Sequence, residues 1–286
     1  MKIERVGVVG GGQMGAGIAE VCAKAGVDVI VREVSQGAAA DGESRIVKSL
    51  DRAVSKGKME ESDRNSAIGR IQFTTDLAAM ADRDLVIEAV VEHEPLKIEI
   101  FTALDTIVTS DHAILASNTS SLPITRLARA TDRPDHVVGM HFFNPVPVMR
   151  LMELITTVIT DPAVAAAAEE FATSTLSKTV VKAKDRAGFV VNLLLVPYMT
   201  EAMRMYEAGH ASAEDIDNGM KLGANHPMGP LELADFIGLD TMKLVADVLF
   251  DEYKLPQYAP PPLLVRMVEA GLLGRKTGRG FYSYGE

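Results

Sequence analysis

Residues 5–32 read RVGVVGGGQMGAGIAEVCAKAGVDVIVR, and no other stretch narrows the possible folds so far. Two strand-forming runs, RVGVV and VDVIVR, bracket a helical stretch from Gln13 to Ala25 that stops at Gly26. Gly10, Gly12 and Gly15 give the spacing G-x-G-x-x-G where the first strand hands over to the helix, and Gly17 follows closely. The first glycine of such a turn permits a sharp reversal and the second lets backbone approach a pyrophosphate. The third lets helix and strand pack closely. The amides of Gln13 and Met14 then lie at a helix N-terminus, which favours an anion. A dinucleotide is the expected ligand.

Glu33 ends the second run, where an acid can bond the adenosine ribose and repel a 2′-phosphate. NAD is therefore expected over NADP, although the cation of the adjacent Arg32 could accommodate that phosphate. Beyond this unit, DLVIEAVV, AILASN, HVVGMHFF, LMELITTV and KTVVKA read as further strands, with helices between several of them. This alternation implies βαβ units and a sheet covered on both faces. From about Gly188 the pattern becomes helical, with expected helices at 189–208, 212–223, 229–250 and 262–271. GFYSY near the end is the one candidate strand there. The fold expected is α/β: a Rossmann-like, doubly wound domain over 1–185, then an all-α C-terminal domain over 186–286.

Composition excludes several functions. The formal net charge of −10 argues against nucleic acid, and no apolar run of membrane-spanning length occurs. The single cysteine, Cys22, rules out an intramolecular disulfide. The first strand begins almost at the N-terminus, so a leader is not expected and a cytoplasmic location is. No metal site is expected. The cations are unevenly placed, since SRIVKSLDRAVSKGK puts Arg45, Lys48, Ser49, Arg52 and Lys56 opposite an apolar stripe. That face is either simply solvated or a cradle for a phosphate-rich substrate handle.

Two segments carry candidate chemistry. ILASNTSSLPI places Asn118, Thr119, Ser120 and Ser121 where a strand ends and a helix begins, as N-caps or as hydroxyls facing a ligand. GMHFFNPVPVMRLMELI sets His141 and Glu153 into strand-like runs separated by Pro145 and Pro147. Taken alone, a structural histidine is the commoner reading.

The motifs GGGQMGAGIA, ASNTSSL, GMHFFNPVPVM, DRAGFVVN, MKLGANHPMGPLEL, DFIGLD and GRKTGRGFY occur in order along the chain. In them the chain resembles the 3-hydroxyacyl-CoA dehydrogenase family over essentially its whole length, most closely the short bacterial 3-hydroxybutyryl-CoA dehydrogenases. The resemblance implies a homodimer that interconverts (3S)-3-hydroxyacyl-CoA and 3-oxoacyl-CoA with NAD. It implies that His141 is the catalytic histidine and Glu153 its acid partner, with Ser120 and Asn192 at the substrate's reacting end. Gly10, Gly11, Gly12, Gln13, Met14, Gly15, Glu33, Glu92, Lys97, Ser120, Asn144 and Lys276 match cofactor contacts. Ser49 and Lys56 match contacts to coenzyme A, and Lys97 is a further candidate there. Two positions depart from the family pattern: Glu33 is commonly Asp, and Leu193 stands where Arg is common.

Two rival readings are a sugar-acid dehydrogenase of the gulonate dehydrogenase and lambda-crystallin branch, and an NAD-binding protein without turnover. The basic helix and NHPMGP speak against the first. The joint presence of His141, Glu153, Ser120 and Asn192 speaks against the second, which Leu193 faintly favours.

Overall fold

A computed structural model describes residues 2–285 as two compact units that divide between Arg186 and Ala187. The strands of the first unit are β1 (Arg5–Val9), β2 (Asp28–Arg32), β3 (Ile71–Thr74), β4 (Leu85–Glu88), β5 (Ile114–Ser117), β6 (Val137–Phe142), β7 (Leu151–Thr156) and β8 (Thr179–Lys184). Its helices are α1 (Gln13–Lys24), α2 (Gln36–Ser55), α3 (Glu61–Ile68), α4 (Glu94–Ile107), α5 (Ile124–Ala128) and α6 (Pro162–Glu170). The sheet has the order β3-β2-β1-β4-β5-β6-β7-β8. All neighbours run parallel except β6 and β7, which are antiparallel.

The strand order reverses beside β1, between β2 and β4, which places a ligand crevice at the carboxyl ends of these strands. Leu85, Ile87, Ile114, Ala116, Val138 and Met140 share one core with α1 and α6. The alternate residues Val86, Leu115 and Val137 are equally buried, so the sheet is covered on both faces. Lone β6–β7 reversal has a local cause. The segment Asn144–Arg150 contains Pro145 and Pro147, and it is too short for the crossover that a parallel partner requires.

β3 is absent from the sequence expectation. It has only four residues, IQFT, and its three partly buried positions break simple alternation. Helix α2 also begins earlier than expected. The Ser35 hydroxyl caps it by accepting the Ala38 amide, and Gly37 and Gly42 hide its first turns from a propensity reading.

The second unit contains α7 (Val191–Glu207), α8 (Ala213–Asn218), α9 (Pro230–Ile237), α10 (Leu239–Tyr253) and α11 (Pro262–Glu269). One helix was expected over 229–250, and the structure corrects this to two. Gly238, at φ +104, takes a conformation that L side chains rarely adopt, and the chain turns there. GFYSY is not a strand, since only isolated bridges such as Arg279 with Ser283 form. Instead, the buried Asp235 carboxylate accepts the amides of Phe281 and Tyr282 at 3.0 and 2.9 Å and pins the segment. Among the described residues no helix is long and apolar enough to cross a membrane.

Candidate active site

The turn between β1 and α1 is built to receive an anion. Gly10 lies at φ +100, and a Cβ there would stand 2.8 Å from the Ala89 carbonyl. A Cβ on Gly15 would collide with the Gly10 carbonyl, so only glycine lets the helix lie against the strand. At Gly12 nothing lies within 4 Å of a Cβ position, which leaves the backbone open to approach. No side chain caps α1 and no acid occupies its first turn. Its first-turn amides therefore carry no side-chain cap at the end that favours an anion.

A cleft of about 710 Å³ adjoins this turn, lined among others by Gly10, Gly12, Met14, Glu33, Val34 and Leu96. That size suits a nucleotide, and the apolar walls suit a base. The Glu33 carboxylate accepts the Gly11 amide at 2.5 Å and the Val34 amide at 3.1 Å. The longer arm that distinguishes Glu from Asp is used to reach back to the turn. Arg32 donates from Nε to the Thr75 carbonyl at 3.3 Å. These residues fit a dinucleotide.

His141 on β6 and Glu153 on β7 are register partners across the antiparallel pair. Nδ1 of His141 lies 2.7 Å from Oε2 of Glu153, which is fully buried. A carboxylate acceptor fixes the proton on Nδ1 and leaves the Nε2 lone pair as the basic site. The Phe143 ring packs on the imidazole with centroids 4.6 Å apart. Asn118 supports the same strand, its Oδ1 accepting the Phe142 amide at 2.9 Å just beyond the last β5–β6 pair. Lys178 holds the turn after His141 by donating to the carbonyls of Val146 and Met149 at 2.6 and 2.7 Å.

That turn also meets the glycine-rich segment. Gln13 donates from Nε2 to Oδ1 of Asn144 at 3.0 Å, and a Cβ on Gly17 would lie 2.9 Å from Val146. The two expected cofactor contacts Gln13 and Asn144 therefore lie together. Ser120 is half-buried in the β5–α5 connection, between Thr119 and Ser121, which both donate hydroxyls to Glu92.

Lys97 is buried in the first unit. Only 1 % exposed, it pairs with Glu88 at 2.7 Å and Glu92 at 3.2 Å. Its ammonium is held between these two carboxylates rather than presented to solvent. Burial alone would raise the Glu92 carboxyl, but the Lys97 charge and the Thr119 and Ser121 hydrogen bonds hold it below the ordinary value.

The basic face of α2 is divided. Lys48, Arg52 and Lys56 are exposed, while Arg45 reaches the Gly11 carbonyl at 3.5 Å. Ser49 is half-buried on the same helix.

In the second unit, Asn192 is half-buried in the first turn of α7. Leu193 packs against the core of that unit, so the position commonly held by Arg serves packing here. Lys276 donates to both carboxylate oxygens of Asp240 at 2.5 Å.

Sequence reasoning missed Glu88 and Lys178, and it singled out Asn118 without its bond to the Phe142 amide. For Glu88 the signal was present: it interrupts DLVIEAVV as Glu153 interrupts LMELITTV.

Comparison with known proteins agrees with this architecture. The profile for the 3-hydroxyacyl-CoA dehydrogenase NAD binding domain matches residues 5–186, and that for the C-terminal domain of the same family matches 188–284. A 3-hydroxybutyryl-CoA dehydrogenase of Mycobacterium tuberculosis is 60% identical over 99% of both chains. A solved structure from M. tuberculosis superposes with a TM-score of 0.99 at 59% identity, covering 100% of each chain. The solved (S)-3-hydroxybutyryl-CoA dehydrogenase of Ralstonia eutropha gives 0.95 at 48% identity, again covering 100% of each. The first unit carries the family's NAD-binding domain, and NAD is the cofactor its residues fit. Two successive domain matches that together span nearly the whole chain establish that it belongs to the 3-hydroxyacyl-CoA dehydrogenase family.

Proposed function

We propose that this enzyme interconverts (3S)-3-hydroxybutyryl-CoA and acetoacetyl-CoA with NAD(H), in the cytoplasm and as a homodimer. The observation that carries the chemistry is the His141–Glu153 pair at 2.7 Å, on the sheet that also bears the dinucleotide turn. The substrate is supported by the relatives from M. tuberculosis and R. eutropha, whose names specify the 3-hydroxybutyryl thioester.

NAD, held by these residues, would supply the hydride acceptor in oxidation and, reduced, the hydride donor in reduction. The chain's residues manage the proton and the geometry. In oxidation, Nε2 of His141 takes the proton from the hydroxyl oxygen as hydride leaves the carbon that bears it. Glu153 holds the imidazole in one tautomer and stabilises the imidazolium that forms. In reduction the protonated histidine donates to the new alkoxide. Ser120 bonds the substrate's reacting oxygen and restricts its orientation. Ser49 on α2 and Lys56 at its C-cap hold the coenzyme A handle. Gly10 to Gly15, Glu33, Glu92 and Asn144 hold the cofactor, and Lys97 acts there from behind Glu92.

NADH absorbance, followed with acetoacetyl-CoA and then with free acetoacetate, tests the reading. Rapid consumption with the thioester alone is expected. Equal rates with the free acid would instead favour a dehydrogenase that does not use coenzyme A, and no consumption with either would contradict the activity.

A further inference from the structure

Behind the Ser120 loop lies a set of charges centred on Glu88, a residue that the mechanism does not use. Glu88 ends β4 with no exposed surface, and Lys97 projects from the apolar stripe of α4 that contains Ile100, Phe101 and Leu104. Oε1 of Glu88 accepts the Lys97 ammonium and the Val90 amide, each at 2.7 Å. Oε2 accepts the Ser117 hydroxyl at 2.6 Å, and the Ser117 oxygen in turn accepts the Thr119 amide at 3.1 Å. Lys97 then reaches Glu92 at 3.2 Å, and Glu92 holds the hydroxyls of Thr119 and Ser121. The Thr119 hydroxyl oxygen accepts the amides of Ser121 and Leu122 at 3.3 and 2.9 Å. Ser120 is thus flanked by two residues whose backbones and side chains are both tied to one buried ion cluster.

Such a cluster is weak as a stabilising device. Desolvating the charges offsets most of their attraction, and apolar side chains could fill the same volume. Its value is geometric, because a fully bonded polar network allows one arrangement. The same Glu88 carboxylate fixes Val90, whose segment packs against Gly10 at the dinucleotide turn.

We propose that Glu88 and Lys97 are positioning residues that, through Ser117 and Glu92, set the Ser120 hydroxyl relative to the dinucleotide turn. This rests on the reading of Ser120 as a substrate contact.

Glu88→Gln retains the shape but removes the charge that holds Lys97. It should lower kcat with acetoacetyl-CoA about tenfold and leave the NADH dissociation constant within about twofold. In a Ser120→Ala background the same change should cost less than about twofold, since no hydroxyl remains to be placed. Amide exchange at Thr119, Ser121 and Leu122 should accelerate about tenfold, while that of β1 stays unchanged. If Glu88→Gln does not fold, Ser117→Ala breaks one link of the network and should move the same readouts in the same directions. Equal losses in both backgrounds, or unaltered exchange at those amides, would overturn the proposal. Wild-type protein inert toward acetoacetyl-CoA would contradict the proposed substrate instead, and the network would still be judged by the exchange measurement.

Discussion

Glu33 closes back on Gly11, its carboxylate accepting that residue's amide at 2.5 Å. An anion fixed against the dinucleotide turn repels a phosphate brought to the adenosine ribose. NADH should therefore be used more efficiently than NADPH by at least about tenfold, corresponding to roughly 1–3 kcal/mol for a lost charge-assisted bond and added repulsion. Steady-state kinetics with both cofactors checks this, and equal efficiency would mean that Arg32 dominates.

The exposed cation Lys56 caps the C-terminus of α2. Lys56→Ala should raise KM for acetoacetyl-CoA and flatten its dependence on salt, while kcat and NADH affinity stay near wild type. An unchanged KM at every ionic strength would return this helix face to the solvent.

Burial pushes the Glu20 carboxyl of α1 above its ordinary value, against the Ser49 hydrogen bond and the Lys24 charge. The folded protein then keeps a proton that the unfolded chain releases above about pH 4.5. Stability falls as pH rises from that unfolded value through the raised folded value, and the loss persists above it. Glu20→Gln should accordingly raise the unfolding temperature by about 2 °C near neutral pH, with a smaller gain near pH 5. A variant less stable than wild type at neutral pH would mean that the Lys24 and Ser49 contacts outweigh the burial.

The helical unit leaves Leu222 85% and Leu194 71% exposed, with Phe236 and Leu244 also exposed. Large apolar side chains on a small domain favour burial against another copy. Light scattering at low micromolar concentration should give twice the 30.7 kDa chain mass, whereas a monodisperse monomer would contradict the assembly.

Much of this was legible because each signal was local. Gly10, Gly12 and Gly15 mark a turn whatever surrounds it, and the prolines after His141 announce a reversal that brings Glu153 alongside. Long-range placement was not legible in the same way. Lys97 shares a helix face with Ile100 and Phe101, but its partner Glu88 belongs to another element, so burial could not be read from α4 alone. β3 was hidden because four residues give too little alternation, and its place at the sheet edge is set by pairing with β2. At Gly238 both flanking segments are helical, and the break depends on a positive φ that composition does not encode.

The central claim is that His141 and Glu153 act as one catalytic unit. Turnover per folded active site, measured for His141→Ala, Glu153→Gln and the double variant alongside thermal unfolding, tests it most directly. His141→Ala should lower turnover roughly 10²–10⁴-fold, the usual worth of a positioned acid–base group. Glu153→Gln should lower it substantially, and the double variant should be little worse than His141→Ala, because an orienting carboxylate then has no imidazole to orient. A merely structural pair would lose folding stability in each single variant while the folded fraction kept its rate. Folded His141→Ala that retains more than about a tenth of wild-type turnover would contradict the account.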